Sequence, residues 1–160
     1  MYNHAPEDYI CPFCLVVEGI ENEHVRTRQD DIIYQDAFIT AFIAAGCWPN
    51  NKGHVLIIPN EHYENIYDLP DDISAKIHAF ERRAALAFKE VYRCGGVSSR
   101  QHNEPCGYQE VWHYHLHVFP RYEGDELYPR YGEGAAMPPE ERKVYADKLR
   151  EYFASKEVIK

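Results

Sequence analysis

The chain has 160 residues, 45% hydrophobic and 27% charged, which suits a single globular domain with one core. Its formal charge of −9 argues against a DNA- or RNA-binding role, because phosphate backbones select basic surfaces. A mononucleotide remains compatible, since one small anion needs only a local cluster of donors and distant carboxylates are screened over roughly 10 Å. The longest apolar stretches, 38–46 and 55–58, fall short of the ~20 residues of a membrane helix. Met1-Tyr2-Asn3-His4-Ala5-Pro6-Glu7 has neither the basic region nor the apolar run of a secretion signal, so a cytoplasmic protein with no membrane partner is expected.

In chain order, an extended start leads to Cys11-Pro12-Phe13-Cys14 and a short apolar run that Gly19 closes. Residues 21–31, polar and mixed in charge, read as a loop. Strands are expected at 32–34, 38–43 and 54–58, the first two separated by the turn-like Gln35-Asp36. The clearest helix is predicted at about 70–94, where Ile73, Ile77, Phe80, Ala84, Ala87 and Val91 recur at alternating spacings of 4 and 3 and form one apolar stripe. Pro70, Asp71 and Asp72 suit its first turn, and Gly95-Gly96 its end. A fourth strand is predicted from Val97-Ser98-Ser99 and a fifth over 111–122. After a proline- and glycine-rich connection, Pro138-Pro139 opens a last helix with Tyr145, Leu149, Tyr152 and Phe153 inward. Regular βαβ alternation is missing, which indicates α+β: a five-stranded antiparallel sheet, one long central helix and a C-terminal helix.

The fifth strand carries Trp112-His113-Tyr114-His115-Leu116-His117-Val118-Phe119. With a side-chain period of two, His113, His115 and His117 share one face, successive members ~7 Å apart. A phosphate group can span two such imidazoles. Neutral imidazole is a nucleophile, and its pKa near ~6.5 lets a neighbour exchange a proton near neutrality. Three polar rings on one face of an otherwise apolar strand would be costly without a use. The competing chemistry is a three-histidine zinc site, but the outer members of a straight strand would stand ~14 Å apart.

The segment from His113 to Phe119 matches the alternating His-φ-His-φ-His-φ-φ signature and resembles the histidine triad (HIT) family of nucleotide hydrolases and transferases. Gln109-Glu110-Val111 before it and Pro120-Arg121-Tyr122 after it agree, as do Gly53-His54-Val55-Leu56-Ile57-Ile58-Pro59 and Cys11-Pro12-Phe13-Cys14. The resemblance covers a core at 11–122, within one HIT-like domain spanning 1–160 with a C-terminal extension at 123–160. It implies that His115 attacks the α-phosphorus of a nucleoside phosphoramidate, dinucleoside polyphosphate or related compound, forming a covalent nucleotidyl-histidine. His117 would contact phosphate oxygens, and Gln109 would contact phosphate or leaving group. Purine nucleotides are the implied substrates and a homodimer the implied assembly. Where relatives place an Asn or Gln that binds ribose or phosphate, this chain has His102, with Asn103 next to it. Where many hold a ribose-binding Asp, it has Gly46.

Of the 5 cysteines, Cys11 and Cys14 have the gap of a zinc half-site. The resemblance implies completion by His54 and His113, giving a closed structural zinc site. A redox pair is the alternative for Cys-x-x-Cys, but no strand precedes it; two unbonded thiols are the other. Cys47, Cys94 and Cys106 have no partner at metal spacing. Three functions follow: a nucleotidyl hydrolase or transferase using His115, a zinc-stabilised nucleotide-binding module without turnover, or a zinc-dependent hydrolase.

Overall fold

The computed structural model describes residues 2–157. Five strands, β1 (Ile32–Gln35), β2 (Ile39–Ile43), β4 (Val55–Pro59), β5 (Gly96–Gln101) and β6 (Leu116–Arg121), form one antiparallel sheet in the order β1-β2-β4-β6-β5. Helix α1 (Pro12–Val17) precedes it, α2 (Asp71–Ala87) crosses between β4 and β5, and α3 (Pro139–Glu157) ends the chain. This is the expected α+β architecture. Among the described residues no helix is long and apolar enough to cross a membrane.

Alternation along the strands gives the sheet two unlike faces. Ala41, Ile43, Val55, Ile57, Leu116 and Val118 face α2 and α3 in the main core, where they meet Ile77, Phe80, Ala84, Ala87, Leu149 and Phe153. Burying each large apolar side chain there contributes roughly 1.5–3 kcal/mol. Phe42, Ala44, Leu56 and Ile58 face the other way, against Cys11, Phe13 and Val16 of the α1 segment. The second layer is thin, so the sheet floor stays accessible beyond α1.

Two boundaries and one strand pair depart most from the sequence-based expectation. The long helix turns into a π-helical segment at Phe88–Tyr92 and stops at Arg93 in the left-handed region (φ 56°). The Lys89 ammonium donates to the carbonyls of Cys94 and Gly95 there, so a side chain caps the end that the glycines were expected to close. The fifth sheet strand begins at Leu116 instead of 111. Ahead of it the chain bonds to the loop after β4: Tyr114 N–H donates to the Tyr63 carbonyl at 2.6 Å and Gln109 Nε2 to the Glu64 carbonyl at 2.6 Å. His113 and His115 therefore precede the ladder. Two short strands not foreseen, β3 (Gly46–Cys47) and β7 (Ala135–Ala136), pair with each other and bring the chain after the triad over the sheet.

Gly53, just before His54, must be glycine. Its φ is +77°, and a Cβ there would lie 2.4 Å from the Tyr145 ring on α3. Gly53→Ala is expected to lower unfolding free energy by about 2 kcal/mol or more, read as a reduced urea midpoint; an unchanged midpoint would contradict this packing.

Candidate active site and metal cluster

His113 is fully buried, and its two ring nitrogens and its carbonyl, three of its polar groups, have separate partners. Its Nε2 lies 3.0 Å from the Pro59 carbonyl oxygen and donates to it, which leaves Nδ1 unprotonated and aimed at sulfur. That nitrogen is 3.3 Å from Cys11 Sγ and 3.6 Å from Cys14 Sγ. Cys11 caps α1, accepting the Cys14 backbone N–H. Hydrogen bonding from Cys14 pushes the Cys11 thiol well below its usual range, while hydrogen bonding to Cys11 and burial push the Cys14 thiol up.

The fourth member of this group is His62, whose Nδ1 is 3.3 Å from Cys14 Sγ. Ligand atoms of Cys11, Cys14, His62 and His113 all lie within 4.8 Å of one another. Two thiolates and two imidazoles are a zinc-type donor set, and ligands at zinc bond lengths in a tetrahedron stand ~3.5 Å apart. The spacings fit that ion. His54, expected in this position, is elsewhere. Register pairs Val55 with Val118, so His54 falls beside Phe119 at the far end of β6, where the rings stack at 4.5 Å. His62 reaches the cysteines because the chain turns back after Pro59.

The third polar group of His113, its carbonyl, lies 2.7 Å from His115 Nδ1. His115 therefore carries its hydrogen on Nδ1, and Nε2 keeps the lone pair. Burial pushes the His115 pKa down to about 4, so the ring is neutral. Phe13 packs edge-on against it at 5.3 Å. The His117 ring lies 5.0 Å from it, with its pKa held well below the usual value by burial and by His115. His117 Nδ1 is 3.4 Å from His54 Nε2.

These rings floor a cleft of about 440 Å³, within the size range of small-ligand sites. Phe13, Val16, Val25 and Leu56 make an apolar wall; Trp48, Arg100 and His102 stand beside the histidines; Gly134 and Ala135 close one end. His102 enters the cleft with Nδ1–H given to the Gly107 carbonyl at 2.6 Å, leaving Nε2 as an acceptor. Asn103 is tied instead to Ile66 N and Gln101. Gln109, 5% exposed, donates to Glu64 and Val111 carbonyls and accepts from Glu104 N. Neither Asn103 nor Gln109 lines the cleft; both brace the loop in front of the triad. Arg100, Trp48 and His62 were not foreseen. His62 had a signal in its position three residues past Pro59; Arg100 had none beyond β5 pairing with the triad strand.

A HIT domain model matches residues 25–124. The chain belongs to the HIT family. A HIT-like protein of Methanocaldococcus jannaschii is 31% identical over 124 residues, covering 78% of this chain and 88% of that one. The Hit protein of Bacillus subtilis is 30% identical over 119 residues, covering 74% of each. The crystal structure of a zinc-bound histidine triad protein from Mycobacterium smegmatis superimposes with a TM-score of 0.75 at 28% identity, covering 94% of this chain and 97% of that one. The fold is that of the HIT nucleotide hydrolases and transferases.

His54 gives this site a pH signature. Burial, then Arg100, pushes its pKa down to about 3, and its buried Nδ1 has no hydrogen-bond partner. The unfolded chain, with a histidine pKa near ~6.5, binds the proton more readily. Stability from this group is complete above pH ~6.5 and is lost as pH falls toward 3. Unfolding free energy at pH 5 is expected to fall below that at pH 7, with His54 supplying on the order of 2 kcal/mol of the difference. In urea titrations His54→Gln should flatten the slope by that amount; an equal slope in both proteins would refute it.

Proposed function

We propose that this HIT protein is a nucleotidyl hydrolase or transferase that works at the α-phosphorus of a purine nucleoside phosphoramidate, dinucleoside polyphosphate or related compound. The observation that carries the reading is the His115 ring, neutral, fixed through Nδ1 to the His113 carbonyl and bordering the cleft with Nε2 as its lone-pair nitrogen. The Nε2 pair attacks phosphorus, and the bond to the leaving group breaks with its electron pair going to that group. Water or another acceptor then attacks phosphorus and gives up its proton to solvent, from which an amine leaving group takes one. The phosphorus–nitrogen pair returns to Nε2, restoring neutral His115.

His117 holds a phosphoryl oxygen. With His54 donating its Nε2 hydrogen to His117 Nδ1, His117 keeps its own hydrogen on Nε2, which serves the oxygen charge as a neutral donor. His54 Nδ1 is then a lone pair, in keeping with its lack of a partner. His102 Nε2 accepts from a substrate or water hydroxyl. The apolar wall of Phe13, Val16 and Leu56 receives the base, with Gly46 leaving room where an acidic ribose contact is absent. The protein acts as a cytoplasmic homodimer in this reading.

Cys11, Cys14, His62 and His113 hold one zinc ion, which when bound supplies a fixed charge centre for two thiolates and no catalytic group. The purified protein is expected to contain about one zinc per chain by plasma emission, with His62→Ala well below that and His54→Ala retaining it. Retention in His62→Ala with loss in His54→Ala would restore the ligand set read from sequence.

Turnover of a radiolabelled adenosine phosphoramidate or dinucleoside polyphosphate tests the reaction. Acid-quenched wild type should trap covalent label, and His115→Ala should lose both label and turnover by at least about 1,000-fold. Binding without turnover in wild type would favour a nucleotide-binding module. Metal-dependent turnover with no adduct would favour a zinc-dependent hydrolase.

A further inference from the structure

The cleft has one flank that the nucleophile and its phosphate donor leave unexplained. Arg100 pairs in register with His117 across β5 and β6, so the two side chains share the cleft face of the sheet. The Arg100 guanidinium carbon lies 4.9 Å from the Trp48 ring centroid and 4.7 Å from that of Phe119, distances at which both rings attract a cation and hold it in place. Both Arg100 and Trp48 line the cleft.

Charge sets this flank apart from the floor. His54 and His115 are buried and His117 half-buried; all three are neutral, and the Arg100 charge helps to keep His54 and His117 so. Arg26, the other arginine of the lining, is exposed beside the apolar wall. The permanent cation next to the phosphate-holding imidazole is therefore Arg100. A neutral-donor floor suffices for one phosphoryl group. A half-buried guanidinium beside it matches a second anionic group, because its planar fork suits phosphate oxygens.

We propose that Arg100, held by Trp48, is a specificity-determining residue that binds the phosphate next to the reacting one. The enzyme then prefers leaving groups that begin with a phosphate, as in nucleoside and dinucleoside polyphosphates, over uncharged amine leaving groups. This rests on the reading of His115 as nucleophile. When the α-phosphorus bond to the bridging oxygen breaks, the electron pair and the new negative charge go to that second phosphate, and the Arg100 guanidinium offsets them.

The test compares kcat/KM for a dinucleoside polyphosphate with that for adenosine phosphoramidate in wild type, Arg100→Gln and Arg100→Lys. Arg100→Gln is expected to lower the polyphosphate-to-phosphoramidate ratio by about 10- to 100-fold, the range for a hydrogen bond to a charged group. Arg100→Lys, which keeps charge and loses the fork, should lower it less, and it decides the matter if the glutamine variant does not fold. A ratio unchanged from wild type overturns the proposal, including the case in which both activities fall together, since Arg100 would then be serving the reacting phosphoryl group or the fold. Calorimetric titration with ADP and with AMP gives an independent arm. Wild type should bind ADP more tightly, and the preference should shrink in Arg100→Gln; equal affinities in wild type overturn it. If wild type turns over neither substrate, the nucleophile reading fails, and the ADP-to-AMP comparison alone judges Arg100.

Discussion

His113 joins two sites through groups only a few bonds apart. Its Nδ1 faces the cysteine pair, its Nε2 donates to Pro59, and its carbonyl takes the Nδ1 hydrogen of His115. The last bond sets the tautomer of His115, and the tautomer decides whether the nitrogen bordering the cleft is a lone pair or a donor. Any tilt of the 113–114 peptide would weaken that choice. The peptide is held because the His113 ring is fully buried and both its nitrogens have partners. The cysteine–histidine cluster is thus tied to the His115 ring through one carbonyl oxygen.

The same burial that keeps the imidazoles neutral works against the fold. Each buried histidine must find partners or bear a desolvation penalty of ~1–3 kcal/mol. His113 and His115 find them in carbonyls. His54 does not: one nitrogen meets His117 at 3.4 Å and the other meets nothing. Its compensation is packing, flat against Phe119 and near Trp48. Arg100 is seated on the same two rings, so one aromatic cluster carries both an imidazole that must remain uncharged and a guanidinium that is always charged. Phe119, the last residue of the triad motif, is where the two meet.

Much of this was legible in the sequence, and the parts that were not share a cause. Period-two alternation placed His115 and His117 together, and the 4-and-3 spacing of Ile73 to Val91 marked the main-core helix. Both signals are local. The metal set needed the chain path after Pro59, and no periodicity within 54–62 says which of two histidines returns to the cysteines. Gln109 and Asn103 carry polar groups at the right sequence distance from the triad, yet their hydrogen bonds go to loop backbone 45 and 37 residues away. β3 and β7 are two residues each, too short for any pattern. Arg121, which sequence offered only as part of the flank after the triad, clasps Asp125 with two nitrogens in the fold, and Asn51 completes the carboxylate's shell.

That clasp bears on the local charge around the cleft in a chain of charge −9. Asp125 lies between β6 and the segment that returns as β7, and it binds Arg121, Asn51 and the N–H groups of Tyr122 and Leu127. Its charge is spent holding the extension in place, and the Arg121 guanidinium keeps the carboxyl well below its usual range. The segment so anchored contributes Gly132, Gly134 and Ala135 to the cleft end, where a Cβ on Gly134 would lie 3.4 Å from the Trp48 indole. Small, uncharged residues therefore back the indole that seats Arg100. Net charge acts through water and is screened over ~10 Å; inside the cleft the field is set by neighbours within a few ångströms. The floor of the cleft is left to neutral rings, with Arg100 on its flank and Glu110 and Arg26 at exposed positions of the lining.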